Sequence, residues 1–417
     1  MPLRGSITVA ARCYLLYFKN QHRAASVSQR RYQGFCNRLL VRLVVTMTLS
    51  LSRLLIPASF VLSSTAFAQV AEKPKLAEEA FKNIRVLKGI TSNEFMATMS
   101  FFSAALGANC NYCHIEESGG DWSKYADDSV KQKATARMMV GMVANMNKMY
   151  FGGRRVLTCY SCHRGTERPK VIPNLDDLYG PPVLETSDDF LEQSPKTMTA
   201  DQILTKHIQA IGGDTAASRV TSYIGKGTYE GYDTKKAPYE VYAKSPNLRA
   251  TIQHTPNGDS ITAFDGKSGW ASGPATDRPV TLTPMVGGEL DAARVDGDVG
   301  FPSRIRQAFT EWKVGFPTSI DDRDVLVLQG SGGGHVPTRF YFDKMTGLLM
   351  RMVRYTDSVV GLNPTRYDFA DYREVGGVKM PYKWGLTWLG GRATIELSEI
   401  QANVAIDSAK FAKPAER

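Results

Sequence analysis

Between Thr91 and Gly107 the apolar residues recur at helical spacing. Phe95, Met99, Phe102 and Leu106 fall at i, i+4, i+7 and i+11 and form one continuous face. Thr91 reads as the N-cap, with Glu94 three residues on in the capping-box pattern. Gly107 suits the left-handed position that ends a helix. Ahead of it, residues 77–88 read as a shorter helix with Phe81, Ile84 and Leu87 on one side. A longer helix follows to about Tyr150, with Asp127 and Asp128 favourable to its N-terminus. Met139, Met142, Met146 and Met149 or Tyr150 line one of its faces, Thr135 extends that face, and Gly152-Gly153 stop it. Thr199 caps a further helix that runs to Ile211 and ends at Gly212-Gly213.

From Tyr223 the period changes from helical to alternating. Short β-branched and aromatic runs recur at 239–243, 249–253, 324–328, 339–342, 348–355 and 393–397, divided by Gly, Asp, Asn and Pro. Residues 343–347 and 375–378 read as hairpin turns. This predicts an antiparallel β domain of roughly 200 residues, long enough to bury a sizeable core. It holds no phosphate-binding glycine loop, no metalloprotease helix and no nucleophile elbow. Between the helices and the strands, Pro169, Pro173, Pro181 and Pro182 mark a linker.

The chemistry sits after the two predicted helices. Cys110-Asn111-Tyr112-Cys113-His114 follows the first, and Cys159-Tyr160-Ser161-Cys162-His163 follows the second. Each is a Cys-x-x-Cys-His, the attachment signature of a c-type haem. Two thiols at this spacing reach the two vinyl groups of one porphyrin, and the next histidine falls under the ring to ligate iron. Helix then motif, twice over, reads as an internal repeat.

Charge and cysteine usage narrow the setting. The formal charge of +10 is concentrated at the start, where residues 1–68 hold nine Lys or Arg and no Asp or Glu. The remainder is balanced to +1, which makes a nucleic-acid partner improbable. Arg42 and Arg53 precede an apolar run from Leu54 to Leu62, and Ala66-Phe67-Ala68 is an A-x-A cleavage signature. The first 68 residues therefore read as a leader and export signal, with Met47 offering an alternative start. An uncleaved anchor over roughly 39–62 is the competing interpretation, interrupted by its two arginines. Cys13 and Cys36 leave with the leader, so all four remaining cysteines belong to the motifs.

A low-spin c-type iron takes a sixth ligand opposite the histidine. A methionine thioether there favours ferrous iron and raises the potential relative to a second histidine. Met99 is the expected ligand of the first haem, with Met96 as its alternative. Met139 is expected for the second, with Met142, Met138 and Met146 as rivals. For any one of these residues, core packing by a flexible side chain is the plainer role. A four-thiolate zinc site is disfavoured because it leaves His114 and His163 without purpose. A thioredoxin-type pair is disfavoured by the missing βαβ context. His207 reads as half-buried on its helix, and His254 and His335 as surface residues. Arg137, Arg154, Arg155 and Arg164 are candidates for pairing with haem propionates, weighed against plain surface charge.

These residues carry a resemblance. Phe95-x-x-x-Met99, Leu106-Gly107-x-x-Cys110-x-Tyr112-Cys113-His114, Lys133-x-x-Ala136-Arg137-x-Met139, Asn147 and Cys159-x-x-Cys162-His163-Arg164-Gly165 together resemble the cytochrome c subunit of photosynthetic reaction centres. The resemblance covers about residues 75–175. It implies covalent haems with axial His114 and His163 and sixth ligands from the positions of Met99 and Met139. That family carries four haems and this chain has motifs for two. The β region is more weakly similar to the periplasmic lipoprotein-carrier fold.

The expectation is an α+β two-domain chain. A leader (1–68) precedes an all-α dihaem cytochrome c domain (69–180), a linker (181–198) and an antiparallel β domain (199–417) with one or two helices. The expected function is a periplasmic c-type cytochrome that carries single electrons on two covalently attached haem c groups. Its partners would be redox proteins in the periplasm or at the membrane surface, with docking on a reaction centre or membrane complex included. The alternatives are a dihaem peroxidase-type enzyme and a haem-based redox sensor whose β domain binds a lipid or protein.

Overall fold

The computed structural model describes residues 73–115, 121–172, 190, 198–231 and 235–415. The leader (1–68), and with it the export signal, lies outside the described residues, as does nearly all of the 181–198 linker.

Four helices precede the sheet: α1 Ala77–Ala80, α2 Ser92–Leu106, α3 Lys131–Phe151 and α4 Cys159–His163. α1 is only one turn long, where the sequence predicts helix as far as residue 88. The chain turns instead, with Asn83 and Leu87 at positive φ, and the Glu78 carboxylate accepts the Gly89 N–H at 3.0 Å. α2 begins and ends as predicted. The Thr91 hydroxyl accepts the Glu94 N–H at 3.1 Å, and Gly107 adopts a φ of 63°. The capping box is only half formed, because Glu94 does not turn back. Its Oε1 accepts the Val359 N–H at 2.8 Å and ties α2 to the sheet. α3 starts later than predicted, at Lys131 after the uncapped Val130. Asp128 lies before the helix and pairs with Arg85 and Arg137 at 2.9 Å each. That pairing holds its carboxyl well below the usual range.

The strands form one antiparallel sheet built as two meanders. The first runs through β1 Ser222–Gly231, β2 Ala237–Lys244, β3 Leu248–Thr255, β4 Gly258–Phe264, β5 Gly269–Ser272 and β6 Leu282–Met285. The second runs through β7 Glu311–Val314, β8 Thr318–Ile320, β9 Arg323–Gly332, β10 His335–Asp343, β11 Leu349–Ser358, β12 Gly361–Val375, β13 Val378–Trp388 and β14 Gly391–Ala402. Spatially β1 to β6 and β9 to β14 each neighbour the next strand in sequence, β7 and β8 both pair with β9, and β1 pairs with β14 to join the meanders. That joint carries a bulge at Gly227, where an added Cβ would sit 2.1 Å from the Glu396 carbonyl oxygen. Five of the six runs read from the sequence fall within strands, the sixth (348–355) starts one residue before β11, and both predicted turns connect hairpins.

Three helices accompany the sheet: α5 Ala200–Ala210, α6 Asp214–Arg219 and α7 Gly287–Val299. α5 starts at the N-cap predicted at Thr199, and Gln202 turns this cap into a full capping box. Its Ile203, Leu204 and Ile208 enter the main core with Ile211, Val241, Phe340 and Ile395. Burial of each such aliphatic side chain stabilises the fold by about 1.5–3 kcal/mol. α7 was not foreseen. It connects the meanders and packs against β3 and β4 of one and β10 and β11 of the other. Arg354 grips its Asp296 with two bonds, at 2.9 and 3.0 Å, and the Tyr367 hydroxyl donates to the same carboxylate at 2.9 Å.

His207 is fully buried instead of half-buried, its Nδ1 3.0 Å from the Gly347 carbonyl. His335 is likewise no plain surface residue, being held by Asp291 of α7. His254 stays partly exposed beside Asp259. Residues 71–417 form one compact unit. Among the described residues no helix is long and apolar enough to cross a membrane.

Candidate haem-attachment site

Both motifs fold as helical turns, and this explains their spacing. The second is α4 itself, capped at its start by Thr158 and Ser161. The first is a tight turn over Cys110–Tyr112, in which the His114 N–H reaches back to the Cys110 carbonyl at 3.0 Å. In a helical turn, positions i, i+3 and i+4 share a face. Cys110, Cys113 and His114 meet that pattern, as do Cys159, Cys162 and His163.

Each histidine is held the same way. His114 Nδ1 lies 3.2 Å from the Tyr125 carbonyl, and His163 Nδ1 lies 3.1 Å from the Thr166 carbonyl. A carbonyl can only accept, so in the neutral ring the proton sits on Nδ1 and the lone pair on Nε2. This is how a metal-ligating histidine is oriented. The His114 ring also packs against the Tyr125 ring with centroids 4.7 Å apart. Burial, reinforced by the nearby Lys133 charge, pushes the His114 imidazole toward its neutral form. Around His163, the left-handed Arg164 (φ 49°) turns the chain so that the Thr166 N–H returns to the His163 carbonyl at 3.0 Å. Tyr125 and Thr166 are supporting residues that the motif patterns did not reveal.

The four cysteines are free thiols. Cys110 and Cys162 are exposed, whereas Cys113 and Cys159 are half-buried, and burial pushes both of their thiols up. Among the described residues no group of three or more His, Cys, Asp or Glu assembles as a metal cage, the motif cysteines included. The four thiols are thus not gathered into a zinc site.

The two motifs stand side by side. The Gly165 N–H donates to the Ala105 carbonyl at 2.9 Å, so the chain after the second motif lies on the end of α2. A Cβ at Gly107 would sit 2.2 Å from the Gly165 oxygen, and no other residue fits there at this φ. The Tyr112 hydroxyl donates to Glu167, which pushes the phenol up to about 12. α3 links the same two places. At its start Lys133 donates to the Tyr125 carbonyl at 2.6 Å, beside His114. At its end the buried Asn147 accepts the N–H groups of Val156 and Leu157 and donates to the Leu157 carbonyl at 2.7 Å. That clamp fixes the chain two residues before Cys159.

Met99 and Met139 are half-buried on α2 and α3, as are Met96 and Met146. Met138, Met142 and Met149 are exposed at 62%, 44% and 73%. Of the 21 residues of α3 only Asn147 is buried, which leaves its methionine-bearing flank uncovered by the described residues. Of the four arginines, Arg137 is taken by Asp128 and Arg155 by Asp357. Arg154 and Arg164 are exposed. The thiol spacing, the two preset Nε2 lone pairs and the bare methionine-bearing helix all fit a covalently attached haem at each motif.

Comparison with known proteins points the same way for this segment alone. Residues 51–186 match the family of the photosynthetic reaction centre cytochrome C subunit, about a third of the chain. The subunit of that name from Roseobacter denitrificans is 31% identical over 105 residues, covering 24% of this chain and 28% of its own length. Those from Rubrivivax gelatinosus and Thermochromatium tepidum are each 35% identical, over 100 and 98 residues, and are covered for 25% and 23% of their lengths. The chain thus spans about a quarter of the curated relatives it matches. A LolA superfamily protein from Nitrosomonas europaea is covered for 99% of its length by 52% of this chain, at 17% identity and a TM-score of 0.35. A DUF1329 family protein from Desulfovibrio piger gives 12% identity, 98% coverage and a TM-score of 0.37. Likenesses at that level carry no argument. The helical segment that bears both motifs is therefore similar to reaction-centre cytochrome c subunits, and the sheet stands outside that likeness.

Proposed function

We propose that this chain is a dihaem c-type cytochrome that carries single electrons between redox proteins in the periplasm. The observation that carries it is the matched pair of histidines, each with Nδ1 held by a backbone carbonyl and Nε2 left to a metal. In this reading Cys110 and Cys113, and Cys159 and Cys162, hold the two haems by thioether bonds. His114 and His163 would each hold a haem iron, and Met99 and Met139 would supply the thioether ligands. The bound haem supplies a one-electron ferric–ferrous couple at each motif. The chain's part is to fix position and potential. The Tyr125 and Thr166 carbonyls keep the proton on Nδ1 of each histidine. A thioether ligand stabilises the reduced state.

Electron carriage of this kind asks for no catalytic acid or base. With a histidine and a methionine committed to each iron, an exogenous ligand would find no open position. The dithionite-reduced, haem-loaded protein is expected to leave carbon monoxide unbound. Stoichiometric uptake would show an open iron and favour the peroxidase-type alternative. The likeness of the motif segment supports partners at a membrane surface, a reaction centre among them. Export is tested by sequencing the N-terminus of the mature protein, which this reading places at Gln69.

A further inference from the structure

A cavity of about 690 Å³ lies between α2 and the sheet, within the 300–1,000 Å³ typical of small-molecule sites. Asn93, Ala97 and Ser100, at i, i+4 and i+7, give α2 one face of the wall. Thr98, Phe101 and Ala105 form the adjoining buried face. Met99 is not among the lining residues, so the cavity is distinct from the proposed haem ligands. Ala271, Met285 and Ala292 contribute apolar walls from β5, β6 and α7.

The charges around it are unevenly matched. Three arginines line the cavity. Arg354 is neutralised by the two-bond grip on Asp296, and Arg155 by Asp357. Arg278 is not. Its Nη2 donates to the neutral oxygens Asn93 Oδ1, at 2.9 Å, and Thr283 Oγ1, at 3.2 Å. Among the described residues it makes no ion pair. Two carboxyl groups, Glu94 and Glu289, share this part of the wall. Glu94 is held by the Val359 N–H. Burial pushes Glu289 up, against the Arg278 charge that acts on it through space, and it takes the Asn93 amide at 3.2 Å. Arg278 thus meets carboxylate charge only through space, from Glu289, and not in a direct ion pair; a desolvated guanidinium in that state is costly to keep, and an anion in contact with it relieves that cost.

We infer that this cavity binds a small organic anion, with the acidic group on Arg278 and the apolar body against Ala97, Ala271, Met285 and Ala292. Arg278 retains two donor nitrogens, Nε and Nη1, that make none of these bonds. Its planar fork suits a carboxylate. The apolar walls favour an acid with a compact aromatic or aliphatic body over an inorganic ion.

Calorimetric titration of the full haem-loaded chain tests this with 2-naphthoate and its neutral isostere 2-naphthamide. The expected result is saturable binding of one naphthoate per chain, with naphthamide at least about tenfold weaker. Arg278→Gln should weaken naphthoate by at least about tenfold and leave naphthamide unchanged. Arg278→Lys should fall between. Ala97→Phe, which fills the cavity without touching the charge, should abolish binding of both and guards against a misfolded Arg278 variant. Equal affinity for acid and amide, an unaltered Arg278→Gln, or no saturable naphthoate binding would each overturn the inference. Inorganic phosphate should fail to compete, and competition at equal concentration would overturn the claim on the apolar walls.

Discussion

Two helices of this chain show opposite economies. α5 buries Ile203, Leu204, His207 and Ile208 within 11 residues. α3 is 21 residues long and buries Asn147 alone, while Met138, Met142, Met149 and Tyr150 stand exposed. Helices draw most of their stability from packing an apolar face. α5 finds that packing in the sheet. α3 finds almost none in protein, and its methionines have the shape and softness to pack a porphyrin instead. The sheet region thus closes its own core, and the motif region leaves a methionine-bearing helix flank uncovered.

The largest test of that contrast removes the attachment points. Cys→Ser replacement at Cys110, Cys113, Cys159 and Cys162 should collapse amide protection in α3 toward that of an unfolded segment, while β9 to β14 keep theirs. Hydrogen exchange read by mass spectrometry reports both regions at once. Equal protection of α3 with and without haem would show that the helix needs no such partner.

A second test acts on the sheet region alone. Burial holds the His207 imidazole down to about 4, below the ordinary 6.5. Both states are neutral above pH 6.5. As pH falls from 6.5 to 4, the unfolded chain takes a proton that the folded one refuses, so stability drops. The full loss is on the order of 3 kcal/mol. Urea unfolding followed by tryptophan fluorescence should show it, and His207→Gln should flatten it. A pH slope that survives this replacement would assign it to another group.

The smallest effect is local. Asn147→Ala removes three hydrogen bonds from the chain before Cys159 and should cost about 1–3 kcal/mol. The loss should appear as faster exchange at Val156 and Leu157, with the sheet unaffected. Unchanged exchange there would mean the clamp is not what fixes the second motif.

How much was legible follows from how local each signal is. Thr91, Gly107 and Thr199 declare helix ends within a few residues, and all three do what their type predicts. The six strand runs were legible by alternation, yet the pairing of β1 with β14 joins segments about 170 residues apart, which no local pattern encodes. α7 escaped notice because its sequence, GGELDAARVDGDV, offers only Ala292 and Val295 as buried apolar positions on a polar background. Glu94 fits the capping box by spacing, but the N–H of Val359, in the turn between β11 and β12, competes for its carboxylate and wins. The cysteines and histidines were legible because five residues encode the whole chemical unit. Tyr125 and Thr166 were not, since they act through backbone carbonyls, which any residue could supply.

The central claim is that both motifs carry covalently attached haem. A pyridine-haemochrome assay on protein matured in a host with haem-attachment machinery tests it most directly. The account predicts two thioether-linked haems per chain, falling to one when either cysteine pair, 110 and 113 or 159 and 162, is replaced by serine. Zero haems in the unaltered chain, or a count indifferent to either replacement, would contradict it.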